Sequence, residues 1–140
     1  MDKSHLQHLF EPINIGQIEI RNRVLLPAMA TCYASSDGFV TDQLISYYVR
    51  RAEGGVGLII VEAAYIDEPV GRAIPHELCI DDDKFILGFR RLTEAVHARG
   101  AKIALQIHHA GPGTHFEGAH PVAPSPIPLE HIPDVIPKEL

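Results

Sequence analysis

The chain has 140 residues, of which 46% are hydrophobic, and a formal net charge of −6 with neutral histidines. This length suffices for one domain with a buried core, and the apolar content excludes a mostly disordered chain. The basic residues are scattered, which excludes an extended surface for nucleic acid or anionic membranes. Two cysteines are too few for a disulfide scaffold or a tetrahedral zinc site. Since neither a leader nor a membrane-length apolar run is visible, we expect a soluble, cytoplasmic protein.

The first predicted elements are a hairpin, a short strand and a helix. Apolar and polar residues alternate over residues 11–21 around a Gly-Gln dipeptide, which indicates a small hairpin. The apolar run of residues 24–29 is long enough for one buried strand. A helix is predicted to begin at Thr41 or Asp42, to carry apolar residues at helical spacing, and to end at the glycines of residues 54–55.

Two further strands and a second helix follow. Residues 56–64 are apolar on both faces, so this strand is expected to be covered on both. Residues 65–80 contain prolines and glycine and predict a loop without regular structure. The aspartates of residues 81–83 suit the start of a helix that ends at Gly100, and residues 101–108 form the third strand. The right-handed crossover rule then predicts one parallel sheet with both helices on the same side.

The last part of the chain is rich in proline. Six of the eleven prolines lie between Pro121 and Pro137, which predicts an extended loop or tail after Gly111. Several apolar residues indicate that this tail packs against other structure, namely Ile132, Val135, Ile136 and Leu140.

The three predicted strands end in RVLLPAMA at 23–30, LIIVEAA at 58–64 and IALQIHHAG at 103–111, and carboxyl ends of parallel strands are where sheets and barrels gather ligand-binding groups. Further motifs are LFEP at 9–12 before the hairpin, RNRV at 21–24 and AEGGVGLI at 52–59 at the starts of two strands, QIHHAG at 106–111 and VAPS at 122–125 in the following loop. Together they resemble the amino-terminal part of the Old Yellow Enzyme family of FMN-dependent oxidoreductases. Within that family the sequence is most similar to the branch of NADH:flavin oxidoreductases, 2,4-dienoyl-CoA reductase and 2-enoate reductase.

The resemblance implies an α/β fold that is the amino-terminal part of a (β/α)₈ TIM barrel. Residues 8–22 would form the hairpin, residues 23–110 three strands with two helices, and residues 111–140 the proline-rich tail. A whole barrel needs about 250 residues, so the chain would be incomplete as a single unit. FMN would lie across the carboxyl-terminal mouth of the barrel. The implied cofactor-binding residues are Pro27, Ala28, Met29, Ala30, Ala63 and Gln106.

Each of these positions has an implied task. Residues 28–30 would supply backbone contacts near the reactive edge of the isoalloxazine, and Ala63 would pack at the ring, where a larger side chain would collide. Gln106 would use its carboxamide as donor and acceptor toward the pyrimidine edge of the flavin. The sequence departs from the family at two positions: relatives often carry Cys, Thr or His in place of Ala30, and arginine in place of Pro112.

The activity implied by the resemblance is ene-reductase-like. An FMN enzyme of this family takes hydride from NADH or NADPH and delivers it to the β-carbon of an enone or enoyl substrate. The substrate-polarising residues of the family, and the cysteines for the 4Fe-4S cluster of its longer members, are not in this sequence. Two alternatives therefore stay open. One is an inactive barrel fragment or subunit that self-associates or is completed by another chain. The other is a non-flavin α/β binding module.

Other chemically suggestive residues receive structural interpretations. Five of the nine histidines fall between His108 and His131, but none has the helical i, i+4 spacing of a metal site, so no metal is predicted. His108 and His109 point to opposite faces of their strand, and His109 is expected to be structural or close to the flavin. Cys32 is expected to be a quiet buried thiol, and Tyr48 is expected to face the core.

Overall fold

The structure is a computed structural model that describes residues 3–114, 116 and 118–140. In chain order the elements are 3₁₀ turns at Lys3–Phe10, β1 (Ile13–Ile15), β2 (Ile18–Ile20), β3 (Leu25–Leu26), α1 (Asp42–Glu53), β4 (Leu58–Tyr65), β5 (Leu78–Cys79), a 3₁₀ turn at Asp83–Phe85, α2 (Ile86–His97), β6 (Lys102–His108), a 3₁₀ turn at Gly111–Gly113, β7 (Val122–Ala123) and β8 (Lys138–Glu139). None of the helices in these ranges is long and apolar enough to cross a membrane.

A parallel sheet centred on β4 organises the fold. The strand β6 pairs with β4 along its whole length, from Leu58↔Lys102 to Tyr65↔His108. On the other edge of β4, β3 pairs with its first residues and β5 with its last two, both in parallel. The strands therefore run in one direction with helical crossovers between them, which confirms the predicted α/β architecture of a partial barrel.

The core lies between this sheet and the two helices. From β4, Ile59, Val61 and Ala64 are buried against the apolar stripes of α1 and α2, including Tyr48. Both helices pack on the same face of the sheet, as predicted, and Tyr48 faces the core, as predicted. Away from the helices, Leu58, Ile60 and Ala63 of β4 are only half-buried, so the prediction of a strand covered on both faces is wrong for these three residues; Tyr65, at the end of the strand, is buried. In a closed barrel this second face would point inward.

Capping side chains set where the helices begin and end. The hydroxyl of Thr41 accepts the N–H of Leu44 at 3.1 Å and so caps α1. The carboxylate of Asp82 accepts the N–H of Lys84 at 2.8 Å, and the first turn after it is 3₁₀, so α2 begins later than the aspartates suggested. Gly100 has φ +76°, a conformation that glycine adopts readily, and lies three residues beyond the end of α2.

The amino-terminal hairpin is connected to the ends of both helices through the side chain of Arg21. The strands β1 and β2 pair in antiparallel fashion, which confirms a hairpin over residues 13–20, whereas residues 8–10 of the predicted range 8–22 lie in 3₁₀ turns. From its end, Arg21 Nη2 donates to the carbonyls of Ala52 at 2.7 Å and Val56 at 2.8 Å, and Nη1 donates to that of Arg99 at 2.9 Å. Carbonyls at the carboxyl ends of helices carry the negative end of the helix dipole, so this guanidinium joins the ends of α1 and α2 favourably.

Two sequence-based boundaries need correction. The first strand was predicted over residues 24–29, but only Leu25–Leu26 pairs with β4. Pro27 has no N–H to donate, which helps to end the ladder there. The predicted loop of residues 65–80 contains the short strand β5, which pairs with Ala64 and Tyr65. The sequence could not indicate this strand, because two residues are too few to show a periodic pattern.

The tail is anchored differently from the prediction. The strands β7 and β8 pair in parallel, and the N–H of Lys138 donates to the carbonyl of Pro121 at 2.8 Å. Within the tail Pro137 is buried and Ile132 is half-buried. The packing predicted for the other three apolar residues is wrong, because they are exposed: Val135, Ile136 and Leu140.

Candidate functional site

Two of the predicted cofactor-binding residues are direct neighbours at the carboxyl end of the sheet. Ala63 on β4 and Gln106 on β6 are register partners. Partners on adjacent parallel strands point to the same face, and here this is the face not covered by α1 and α2. Gln106 is exposed and Ala63 is half-buried, so a carboxamide stands beside a position with almost no side chain.

A β-bulge in β4 produces this alignment. The register runs Val61↔Leu105 and then Ala63↔Gln106, so Glu62 is an extra residue without a partner on β6. In a strand of uninterrupted alternation, Ala63 would point to the same face as Val61, toward the helices. The bulge resets the alternation and turns Ala63 toward the open face, while Glu62 points to the helix side and contacts Tyr48.

The end of the first strand lies beside this bulge. Pro27 and Ala30 are exposed, Ala28 is half-buried, and Met29 is 60% exposed. The segment of residues 27–30 is joined to β4 one residue later, because the N–H of Thr31 donates to Oε2 of Glu62 at 3.2 Å. Residues 27–30, Ala63 and Gln106 thus form a partly exposed rim at the carboxyl end of the sheet, with the Ala63–Gln106 pair next to the point of attachment.

This rim has the chemistry expected for a planar, hydrogen-bonding cofactor such as FMN. Alanine at positions 28, 30 and 63 leaves the backbone uncovered by bulky side chains. The exposed carboxamide of Gln106 offers both a donor and an acceptor to a ring edge that carries carbonyl oxygens and an N–H. The residues present therefore fit a flavin ring resting on this end of the sheet.

The two adjacent histidines at the end of β6 belong to different hydrogen-bond networks. His108 Nδ1 lies 2.9 Å from Oε1 of the buried Glu77. His109 accepts the N–H of Gly111 at Nδ1, at 2.9 Å, so its Nε2 carries the proton and faces Asp67 Oδ2 at 3.4 Å. Within the described ranges, no three of the His, Cys, Asp and Glu side chains come together as a metal site would require.

The two departures from the family pattern occupy well-defined places. Pro112 lies in the first turn of the 3₁₀ segment Gly111–Gly113, where no internal N–H is needed. Ala30 is exposed on the rim and offers no side-chain hydrogen bond there. The prediction that Cys32 is buried is wrong: its side chain is exposed and its φ is 57°, and it is Cys79 that is buried.

The structure also assigns positions to acidic residues that sequence reasoning passed over. Glu62 is 2% exposed and is hydrogen-bonded to Tyr48 and Thr31. Glu77 is also buried, and its Oε2 accepts the backbone N–H of Ala73 at 2.8 Å. For Glu62 the sequence offered one signal, namely a carboxylate inside an otherwise apolar strand. A buried charge requires hydrogen-bond partners, so this position predicts a buried polar contact.

A surface cavity lies outside the rim, at a place where the non-flavin interpretation would put a ligand. It has a volume of about 460 Å³ and lies beside the start of α2. Its lining includes Ile80, Phe85, Phe89 and the three aspartates at 81–83. Ala63 and Gln106 do not line it, so it is separate from the predicted cofactor positions.

Comparison with known proteins connects this arrangement to one family. The family model of the NADH:flavin oxidoreductase / NADH oxidase family matches residues 8–133. An NADH oxidase of Thermoanaerobacter brockii is 51% identical over 133 residues, covering 92% of this chain and 20% of the relative. A cinnamate reductase of Clostridium sporogenes is 38% identical, covering 99% of this chain and 22% of the relative.

A solved structure shows the same fold. Old Yellow Enzyme from Pichia sp. AKU4542 superposes with a TM-score of 0.78 and 31% sequence identity, covering 85% of this chain and 32% of that one. The chain thus spans about a fifth of these two curated relatives and about a third of the solved structure. The description of the matching family names NADH and flavin, so FMN is the cofactor that family membership implies. This chain belongs to the NADH:flavin oxidoreductase / NADH oxidase family and has the fold of part of an Old Yellow Enzyme barrel.

Proposed function

We propose that this chain supplies one side of the FMN site of an NAD(P)H oxidoreductase that reduces activated C=C bonds. The observation that supports this most is the pairing of Ala63 with Gln106 on the open face of the sheet, one residue after the bulge. It brings together a small residue and a carboxamide at the edge where parallel-strand folds bind ligands.

The proposed tasks follow from the side chains on the rim. The carboxamide of Gln106 orients the ring by donating to a carbonyl oxygen and accepting from the ring N–H. Ala63 admits the ring plane close to the backbone, and residues 27–30 line the neighbouring edge. When bound, FMN supplies the hydride-transfer chemistry, while these residues bind and orient it.

The proposed substrates are small molecules with a C=C bond conjugated to a carbonyl, and the reductant is NADH or NADPH. The relative named cinnamate reductase supports this class, since cinnamate is an alkene conjugated to a carboxylate. The relative named NADH oxidase supports a nicotinamide reductant. Activation of the substrate carbonyl is assigned to barrel strands other than β3, β4 and β6.

The visible absorption spectrum of the purified chain tests the proposal. After incubation with FMN and gel filtration, a flavin band that comigrates with the protein is expected. A colourless protein peak would contradict the FMN assignment for this chain. A turnover assay with NADH and an enone then separates flavin binding from catalysis.

A second candidate is a barrel part that requires completion by further strands or by another copy. The observation that favours it is the uncovered apolar surface: among the described strands β6 pairs only with β4, and Leu25 and Ile107 are exposed. Unpaired edges and apolar patches promote association. Under this proposal the chain self-associates, which sedimentation velocity would detect as a mass above 15.4 kDa.

A further inference from the structure

Glu62 is a buried carboxylate at the point where two predicted cofactor-binding segments meet. Its Oε2 accepts hydrogen bonds from the hydroxyl of Tyr48 at 3.0 Å and from the backbone N–H of Thr31 at 3.2 Å. The hydroxyl of Tyr48 in turn accepts the N–H of Glu62 at 2.9 Å. One carboxylate therefore joins α1, β4 and the segment that follows β3.

The bulge is what makes this connection available. Because Glu62 is the unpaired residue, its side chain turns toward Tyr48 while the next residue, Ala63, turns to the open face. Burial raises the pKa of the Tyr48 phenol, so the hydroxyl keeps its proton at neutral pH and donates to Glu62. The same irregularity thus exposes Ala63 to a ligand and buries the group that holds Thr31.

From this geometry we infer that Glu62 is a positioning residue for the cofactor rim. Its carboxylate holds residues 28–31 against the end of β4, so their backbone groups are fixed beside Ala63 before any ligand arrives. The inference rests on the proposed function, because it is FMN that the rim would receive. A segment ordered in advance loses less conformational freedom on binding, so the tether increases ligand affinity without touching the ligand.

The contrasting interpretation is that Glu62 only stabilises the fold by satisfying Tyr48. A buried carboxylate and phenol would then matter for global stability alone, and substitution would loosen every element equally. Glu77 provides a matched control, because it is also buried, at 3% exposure, and accepts the backbone N–H groups of Ala73 and Ile74. Among the described residues, the carboxylate of Glu77 is hydrogen-bonded to Ala73, Ile74 and His108 and to none of residues 27–31.

Residue-resolved amide hydrogen exchange of the full chain tests the inference. In Glu62→Ala, the exchange of the Thr31 amide should accelerate by about tenfold or more relative to core amides such as those of Ile59 and Val61. In Glu77→Ala the exchange rate of the Thr31 amide relative to those core amides should stay as in the wild type, although the whole protein is destabilised. In Glu62→Gln the amide oxygen still accepts from both donors, so Thr31 protection should return to within about threefold of the wild-type value.

A titration with FMN on the same variants links the tether to the rim. Glu62→Ala should weaken FMN binding by about tenfold, and Glu62→Gln should recover most of it. Unchanged Thr31 exchange in Glu62→Ala would overturn the inference, and so would accelerated exchange with wild-type FMN affinity. If the wild-type chain binds no FMN, the proposed function fails. The exchange ratios still decide whether Glu62 holds the segment.

Discussion

Ala63 and Gln106 lie side by side across β4 and β6 because a single residue, Glu62, is looped out of the register just before them. Without that bulge the alternation of β4 would turn Ala63 toward the helices, away from the face that Gln106 occupies. The proposed flavin site therefore depends on a local irregularity in the backbone as much as on the residues that line it.

Removing the carboxamide at position 106 should weaken FMN binding. Gln106→Ala loses a donor and an acceptor, and we expect affinity to fall by about tenfold, the equivalent of one or two hydrogen bonds. Quenching of FMN fluorescence on titration with protein measures this. Gln43→Ala, at an exposed position of α1, is the control and should bind like the wild type. Equal affinity for all three proteins would rule out Gln106 as a flavin ligand.

Enlarging the side chain at position 63 should block FMN while leaving the fold intact. Ala63 faces the uncovered side of the sheet, so leucine there occupies open space and not the packed core. We expect Ala63→Leu to change the free energy of unfolding by less than about 1 kcal/mol. FMN binding should become undetectable in the same titration. Ala98→Leu, at an exposed position after α2, is the matched control. Tight binding by Ala63→Leu would argue against ring packing at this position.

Loss of the Arg21 guanidinium should destabilise the whole domain. Its three hydrogen bonds to carbonyls of Ala52, Val56 and Arg99 connect the hairpin to both helix ends. We expect Arg21→Ala to lower the free energy of unfolding by about 3 kcal/mol, measured by urea denaturation. Arg50→Ala, at an exposed position of α1, should cost less than about 0.5 kcal/mol. Similar losses for both variants would show that the connection contributes little.

Two buried tyrosines should make the domain sensitive to alkali. Burial raises the pKa of both Tyr48 and Tyr65 above the ordinary value, so the unfolded chain loses these protons at lower pH than the folded one. Their contribution is complete below about pH 10 and declines as the pH rises further, with a slope of up to about 1.4 kcal/mol per pH unit for each group. Urea midpoints at pH 9, 10 and 11 measure this decline. Tyr48→Phe and Tyr65→Phe should each flatten it, and an unchanged slope in either variant would contradict the assignment.

Self-association should depend on the open edge of the sheet. Ile107 on β6 and Leu87 on α2 are almost equally exposed, at 68% and 67%, but only Ile107 lies on an edge strand. A lysine on an edge strand disfavours pairing with another chain. Sedimentation velocity should therefore show Ile107→Lys shifted toward monomer, and Leu87→Lys associated like the wild type. The reverse order would indicate association through the helices.

The sequence predicted the helical and strand framework well because its signals there are periodic and local. The cap at Thr41 and the glycines after each helix are read directly from residue type. The bulge could not be predicted, since VEAA reads as ordinary strand and its irregularity exists only relative to β6. For the same reason the two-residue β5 and the exposure of Cys32 were missed: tertiary contacts decide both.

Ala63 and Gln106 were candidates because of the family resemblance. Their proximity is explained by the register in which β4 pairs with β6. Nothing in the periodicity of β4 marks Ala63, and nothing in that of β6 marks Gln106. Their partnership requires the pairing of two strands separated by a loop and a helix. Glu62 carried a local signal, a charge inside an apolar strand, but its partners Tyr48 and Thr31 are distant in sequence.

An NMR titration of the ¹⁵N-labelled chain with FMN tests most directly whether the rim binds the flavin. We predict that chemical-shift changes concentrate at the amides of residues 28–31, at Ala63 and at the backbone and carboxamide of Gln106. Changes centred on the cavity beside the start of α2, or no saturable change at all, would show that the rim is not the flavin site.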